Sequence, residues 1–141
     1  MIKINTYLNF NGNTEEAFNF YKSVFGGEFL VLQRFKETPE GKNLSKEDRE
    51  KILHIALRIG EVNTLMGTDA SESMGFKLIV GNNFSISVSV DSKEEADRLF
   101  NGLSVNGKVE VPMDNDFWGG YFGMFVDKFG IQWMISFEGK K

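Results

Sequence analysis

Two stretches of the chain alternate between polar and apolar residues, at positions 4–10 and 84–90. Because successive side chains of a strand point to opposite faces, this pattern predicts two strands that each bury one face beneath a helix. The opposite faces present mainly polar groups: Asn5, Tyr7 and Asn9 in the first strand, and Ser85, Ser87 and Ser89 in the second.

A helix is predicted to follow each of these strands. Asn13 and Ser92 are favourable N-cap residues, and a glutamate stands three residues after each, the spacing of a capping box. Behind each cap, apolar residues recur at the i, i+3, i+4, i+7 positions of a helix that packs one face on a core. The stripes are Ala17, Phe20, Tyr21 and Val24 in the first helix, and Ala96, Leu99, Phe100 and Leu103 in the second.

Three further strand-like runs follow each helix, at about 28–36, 51–59 and 62–68, and at about 107–112, 120–127 and 131–138. The caps match at an offset of 79 residues, which indicates an internal duplication. We therefore predict an α+β fold of two tandem βαβββ units in one domain, residues 1–141. Unit one spans about 1–68, the linker 69–82 and unit two about 83–141. The charged segment 37–50 is interpreted as a solvated excursion or as a lid.

Composition narrows the class of protein. The 141 residues include no cysteine, which excludes disulfides and thiolate metal sites, and the net charge of −4 with scattered basic residues argues against nucleic-acid binding. No apolar run is long enough to span a membrane, and the N-terminal residues lack the pattern of a signal peptide. We expect a cytoplasmic protein without a membrane partner.

Several segments resemble the PhnB-like branch of the vicinal oxygen chelate superfamily, which includes glyoxalases, bleomycin-resistance proteins and extradiol dioxygenases. They are TYLNFNGN (6–13), AFNFY (17–21), VFGG (24–27), HIAL (54–57), FWG (117–119) and, most specific, GMFVDKFGIQWMI (123–135). The resemblance implies half-barrel sheets that cup a pocket for a small-molecule ligand, and a homodimer.

Members of this branch sometimes carry the label 3-demethylubiquinone-9 3-methyltransferase. Methyl transfer from S-adenosylmethionine usually relies on a glycine-rich turn between a strand and a helix of a parallel sheet. No such turn occurs in this sequence, so we do not predict methyl transfer.

The resemblance also implies where a metal would bind. Enzymes such as glyoxalase I hold a divalent ion with His, Gln or Glu from the first and last strands of both units, and the ion acts as a Lewis acid. The matching positions here are Asn5, Ser85, Met134 and either Leu65 or Met66. None is a strong ligand for a catalytic divalent ion. We predict no metal and no cofactor, although a site made of other Asp and Glu residues stays open.

His54 is the only histidine in the chain, and alternation places it on one face of its strand with Ala56 and Arg58. It is interpreted either as a general acid or base, because its ordinary pKa lies near neutrality, or as a hydrogen-bonded residue without a chemical role.

The loop at 114–121 is interpreted either as an aromatic wall over a ligand or as a plug at a barrel end or dimer interface. The predicted pocket lining is Asn5, Tyr7, His54, Ser85, Trp118, Tyr121, Gln132 and Met134.

Three functions remain open at this point. The first is a small-molecule binding protein of the antibiotic-resistance type. The second is an enzyme of the same scaffold that uses His54 for proton transfer on a small oxygen-rich metabolite. The third is a dimeric structural module with a vestigial pocket.

Overall fold

A computed structural model describes residues 1–116 and 119–138, which form two compact units, Met1–Ile79 and Val80–Lys141. The first unit contains β1 (Thr6–Phe10), α1 (Thr14–Phe25), β2 (Glu28–Arg34), α2 (Lys46–Arg49), β3 (Ile52–Ile59) and β4 (Asn63–Asp69). The second contains β5 (Ile86–Val90), α3 (Lys93–Leu103), β6 (Lys108–Asn115), β7 (Gly120–Val126) and β8 (Gln132–Glu138). None of the described helices is long and apolar enough to cross a membrane.

The strands of each unit form one four-stranded mixed sheet, and the two sheets share a topology. Their strand orders are β1-β4-β3-β2 and β5-β8-β7-β6. In each sheet the first strand runs parallel to the last, and the remaining neighbours are antiparallel. The predicted α+β fold of two tandem βαβββ units is therefore confirmed.

Each sheet buries one face against its own long helix. In the first unit α1 contacts β3 and β4, and in the second α3 contacts β5 and β8. The buried apolar side chains of these layers include Leu8, Phe10, Ala17, Phe18, Tyr21, Ile55, Leu57 and Leu65 in the first unit, and Ala96, Leu99, Phe100, Leu103, Phe125, Trp133 and Ile135 in the second. The alternation predicted for β1 and the complete stripe predicted for α3 are confirmed, whereas β3 buries Ala56 as well as Ile55 and Leu57.

The stripe predicted for α1 is partly wrong. Ala17 and Tyr21 are buried as expected, but Phe18 is fully buried in place of Phe20, which is only half-buried. Gly67 on β4 explains the difference, because a side chain there would overlap the Phe18 ring, at 2.6 Å from Cε1. The bare backbone of Gly67 thus provides the space that the Phe18 ring fills.

Asn13 is the N-cap residue of α1, as predicted, but the capping hydrogen bond expected from its side chain does not form. Instead, the backbone N–H and the hydroxyl of Thr14 donate to Asp69 Oδ1, at 3.0 Å and 2.6 Å. At the start of α3, Ser92 Oγ accepts from the Glu95 backbone N–H at 3.1 Å, as predicted.

The charged segment after β2 folds into short helical turns, Phe35–Glu37, Gly41–Asn43 and α2. Its anchor is polar: Asp48 is buried and accepts hydrogen bonds from Lys51 and Ser73, both at 2.8 Å. This contact ties α2 to the segment after β4. The interpretation of residues 37–50 as a lid remains a prediction.

Candidate functional site

The sheet of the first unit has an open face, on the side opposite α1. Tyr7 on β1 pairs with Met66 on β4, Met66 pairs with Ala56 on β3, and Ala56 pairs with Val31 on β2, so these four side chains form a row across the sheet. A neighbouring row contains Asn9 paired with Thr68, and His54 paired with Gln33. We call this surface the first open face.

Tyr7 and His54 form a contact pair on the first open face. The Tyr7 hydroxyl lies 3.0 Å from His54 Nδ1, and the two rings stack with centroids 5.6 Å apart and planes 16° apart. Tyr7 is 45% exposed and His54 is half-buried, so a small molecule can reach both rings. The sequence placed both residues on this surface, but their direct contact was not predicted.

Burial raises the pKa of the Tyr7 phenol, and a hydrogen bond with Thr68 opposes part of this increase. Tyr7 is therefore a neutral hydroxyl at physiological pH. Its proton can be donated to His54 Nδ1, which leaves the imidazole proton on Nε2; in the other tautomer Nδ1–H donates to the phenol oxygen, and Nε2 offers a lone pair. In each arrangement Tyr7 occupies Nδ1, so Nε2 is the ring nitrogen of His54 that a ligand can use.

Asn5, the third predicted site residue of this unit, stands immediately before β1 and is exposed. The predicted pocket lining lacked Thr68 and also Met66, which was considered only as a position matching a metal ligand; both lie on the first open face beside Tyr7 and Asn9. The alternation of Thr64, Met66 and Thr68 with the buried Leu65 and Gly67 would have identified them. Met66 supplies an apolar, adaptable surface next to the Tyr7 ring.

The second unit has a corresponding open face opposite α3. Met134 on β8 pairs with Ser87 on β5 and with Met124 on β7, and Gln132 pairs with Val126. The Gln132 side-chain amide donates to the Phe84 carbonyl oxygen at 2.7 Å, and Ser85 follows in the chain, just before β5. The structure therefore groups Ser85, Gln132 and Met134 on one side of the second sheet.

Tyr121 does not join that group. It alternates with Gly123 and Phe125 on the helix-facing side of β7, and its hydroxyl donates to Asp97 Oδ1 of α3 at 2.6 Å. This hydrogen bond to Asp97 is the main cause of the raised pKa of Tyr121. Lys93 also lies over its ring, 5.1 Å from the centroid. Tyr121 thus connects β7 to α3. The prediction that Tyr121 lines the pocket with the open-face residues is therefore wrong. Trp118 lies outside the described residues.

The positions that hold a divalent ion in glyoxalase I carry a poor donor set in this chain. Asn5, Ser85 and Met134 offer an amide, a hydroxyl and a thioether, and the fourth position offers either the aliphatic Leu65 or the thioether of Met66, whereas catalytic divalent ions prefer carboxylate, imidazole and similar ligands. Within residues 1–116 and 119–138, no three His, Asp or Glu side chains are grouped so that they could hold a metal ion. The residues at these positions do not fit the metal.

Comparisons with known proteins agree with the fold and assign the family. The fold is shared with solved structures of the glyoxalase, bleomycin-resistance and dioxygenase family, for example one from Burkholderia phytofirmans PsJN with a TM-score of 0.63 at 16% identity, covering 94% of this chain and 96% of that one. The two βαβββ units therefore have the fold of these proteins.

Residues 2–136 match the family model described as 3-demethylubiquinone-9 3-methyltransferase, and the chain belongs to this family, as a PhnB-like member of the vicinal oxygen chelate superfamily. Protein PA1353 from Pseudomonas aeruginosa is 38% identical, with a TM-score of 0.87, over 99% of this chain and all of that one. A PhnB protein from Bacillus cereus is 27% identical, with a TM-score of 0.78, over 96% and 99%. Protein YjdN of Escherichia coli is 30% identical over 94% of this chain and 93% of its own length.

Proposed function

We propose that this protein binds a small organic molecule through the open faces of its sheets and does so without a divalent metal. The observation that carries the proposal is the Tyr7–His54 pair, which presents two stacked polar aromatic rings at an accessible surface, 3.0 Å apart at their nearest polar atoms. Small-molecule sites combine such aromatic surface with a few placed polar groups. The open face of the first unit offers Asn5, Tyr7 and His54 for ligand contact, and the open face of the second unit separately offers Ser85, Gln132 and Met134.

The family description names a methyl transfer, which we do not extend to this chain. Support for this restriction comes from the sheets, each of which has only one parallel pair of strands. A dinucleotide-type cofactor site normally uses a glycine-rich turn in a largely parallel sheet. The neutral donor set of the open faces supports the metal-free part of the proposal.

Binding is tested with ligands found by screening a metabolite-like library against the wild-type protein, with affinities measured by calorimetry. We expect Tyr7→Phe and His54→Ala each to weaken the best ligand by about tenfold, since each removes one polar contact in a stacked pair. Lys42→Gln, an exposed substitution in the same unit, is the matched control. Equal affinity in all four proteins would contradict the proposal.

Metal analysis of the purified protein tests the proposal that binding needs no divalent metal. A stoichiometric divalent ion would overturn it.

A second candidate function is an enzyme in which His54 moves a proton on a small oxygen-rich metabolite. The specific observation in its favour is that Tyr7 occupies Nδ1 and so fixes the orientation of the imidazole, as second partners of catalytic histidines do. His54→Ala distinguishes the candidates. Loss of turnover with retained affinity favours the enzyme, and an unchanged affinity and turnover favour the third function, a structural module.

A homodimer is part of the proposal, and exposed apolar residues of the edge strand β2 support it. Leu30 is 52% exposed, and Val31 and Leu32 are each 39% exposed. Light scattering after gel filtration should find a dimer for wild type and a monomer for Leu30→Glu. Val62→Glu changes an equally apolar, exposed residue in the β3–β4 turn and should remain dimeric. A wild-type monomer would refute this part.

A cytoplasmic location is proposed as well, and cell fractionation tests it.

A further inference from the structure

The first unit also contains a groove that none of the ligand-contacting residues named above lines. Its volume is about 360 Å³, within the range of about 300–1,000 Å³ that is typical of small-molecule sites. It lies where β1 and β4 end and β3 begins, and Phe76 and Leu78 of the following segment form one wall. Phe35, Leu53 and Ala70 complete a mainly apolar lining.

The polar residues of the groove differ in whether they can bind a ligand. Asp69 contributes to the lining, but its carboxylate is buried: Oδ1 accepts from Thr14, and Oδ2 accepts from the Ile52 backbone N–H at 2.8 Å. Its charge also faces the N-terminus of α1, whose dipole offsets it. Asp69 therefore has a structural role and is a poor partner for a ligand.

Lys77 is the only basic residue of the lining, and its side chain is exposed. Across the described parts of the chain, its ammonium group forms no ion pair or hydrogen bond. Three other basic residues close to this end of the sheet are already paired: Lys51 with Asp48 at 2.8 Å, Arg34 with Glu15 at 2.7 Å and Lys36 with Glu50 at 3.0 Å. An apolar groove beside one unpaired ammonium group is complementary to a molecule with an apolar body and one negative charge.

We propose that this groove is a second ligand site, which binds a small aromatic or aliphatic anion such as a carboxylate or sulfonate. The apolar body lies against Leu53, Ala70 and Phe76, and the anionic group pairs with Lys77. Asn9 and Thr68, which also lie on the first open face, provide amide and hydroxyl groups at one edge of the groove. The groove shares this edge with the first open face, but neither Tyr7 nor His54 lines it, and its ligand carries a negative charge.

The test uses two fluorescent ligands of similar shape, anilinonaphthalene sulfonate, which is anionic, and phenylnaphthylamine, which is neutral. We expect one anionic molecule to bind per chain, with amide shifts in nuclear magnetic resonance spectra at Ala70, Lys77 and Leu78. Lys77→Gln should weaken the anionic ligand by about threefold to fivefold, the range of an exposed ion pair, and leave the neutral one unchanged. Ala70→Leu should weaken both by about tenfold, because the larger side chain occupies the groove.

Controls separate this site from the proposed function. Lys42→Gln removes an exposed charge elsewhere in the unit and should leave both affinities unchanged. Circular dichroism verifies that each variant is folded. Equal weakening of both ligands by Lys77→Gln, non-saturable binding, or loss of the anionic ligand in His54→Ala with retention in Lys77→Gln would each overturn the proposal.

Discussion

At the scale of single residues, Asp69 is a buried carboxylate that connects α1 to β3 in the first unit. Three donors from α1 and β3 converge on its carboxylate, which is 3% exposed. Asp69→Ala leaves these buried donors unpaired, and we expect it to lower the free energy of unfolding by about 3 kcal/mol. Urea denaturation measures the change. Asp91→Ala, at an exposed position, should cost less than about 0.5 kcal/mol. Similar costs for both variants would contradict this role.

The ion pair between Glu15 and Arg34 gives the first unit a pH-dependent contribution. The Arg34 guanidinium donates to both Glu15 oxygens, at 3.0 Å and 2.7 Å, and this hydrogen bonding lowers the pKa of the Glu15 carboxyl below its usual 4.5. A lowered folded-state pKa stabilises the protein above the ordinary value, and this stabilisation is lost as the pH falls through the lowered one.

Glu15→Gln should therefore cost less than about 1 kcal/mol at pH 7, because Glu15 is 43% exposed, and nothing in strong acid. Unfolding curves of wild type and variant across this pH range measure the difference. A cost that grows as the pH falls would show that the carboxyl is not stabilised in its charged form.

The contacts of Tyr121 and Tyr7 could not be predicted from the sequence. Alternation correctly grouped Tyr121 with Gly123 and Phe125, but every residue of β7 is apolar, aromatic or glycine, so the pattern could not say which face is open. The residue that fixes the orientation of Tyr121 is its hydrogen-bond partner Asp97, which lies on α3. From sequence alone, a charged residue on a helix is interpreted as exposed to solvent. The Tyr7–His54 contact was beyond reach for a similar reason, because the two residues lie 47 positions apart.

At the scale of elements, the helices differ in how their N-termini are satisfied. Ser92 Oγ caps α3 by accepting a hydrogen bond from the Glu95 backbone N–H. The two residues are three positions apart, so the local sequence predicts this contact. The start of α1 depends on Asp69, which is 55 residues from Thr14, so no local pattern could reveal it. The boundaries of all eight strands were otherwise predictable to within a few residues, because each alternates or is framed by turn residues.

The caps give a paired prediction. Ser92→Ala should lower the free energy of unfolding by about 1 kcal/mol, the usual value of an N-cap hydrogen bond. Asn13→Ala should change it by less than about 0.5 kcal/mol, since the Asn13 side chain makes no capping hydrogen bond. Thermal or urea unfolding of both variants measures the contrast. The reverse order of costs would mean that Asn13 caps α1 in solution.

At the scale of the whole molecule, duplication places equivalent rows on both sheets. Tyr7 and Met66 of the first sheet correspond to Ser87 and Met134 of the second, since each is a paired position of the first and last strands. The two copies have diverged in chemistry: the first carries the stacked aromatic pair, and the second carries hydroxyls, an amide and methionines. We therefore assign the polar recognition of a ligand mainly to the first unit.

The most direct measurement of ligand binding at the Tyr7–His54 surface uses protein labelled at its methionine methyl groups. Met66 neighbours Tyr7 on the first open face, whereas Met74 lies in the turn after β4 and serves as an internal control. We predict that screened ligands shift the Met66 signal, leave that of Met74 in place, and lose this effect in the Tyr7→Ala, His54→Ala double variant. Ligands that bind without moving Met66, or that move it equally in the double variant, would contradict binding at this surface.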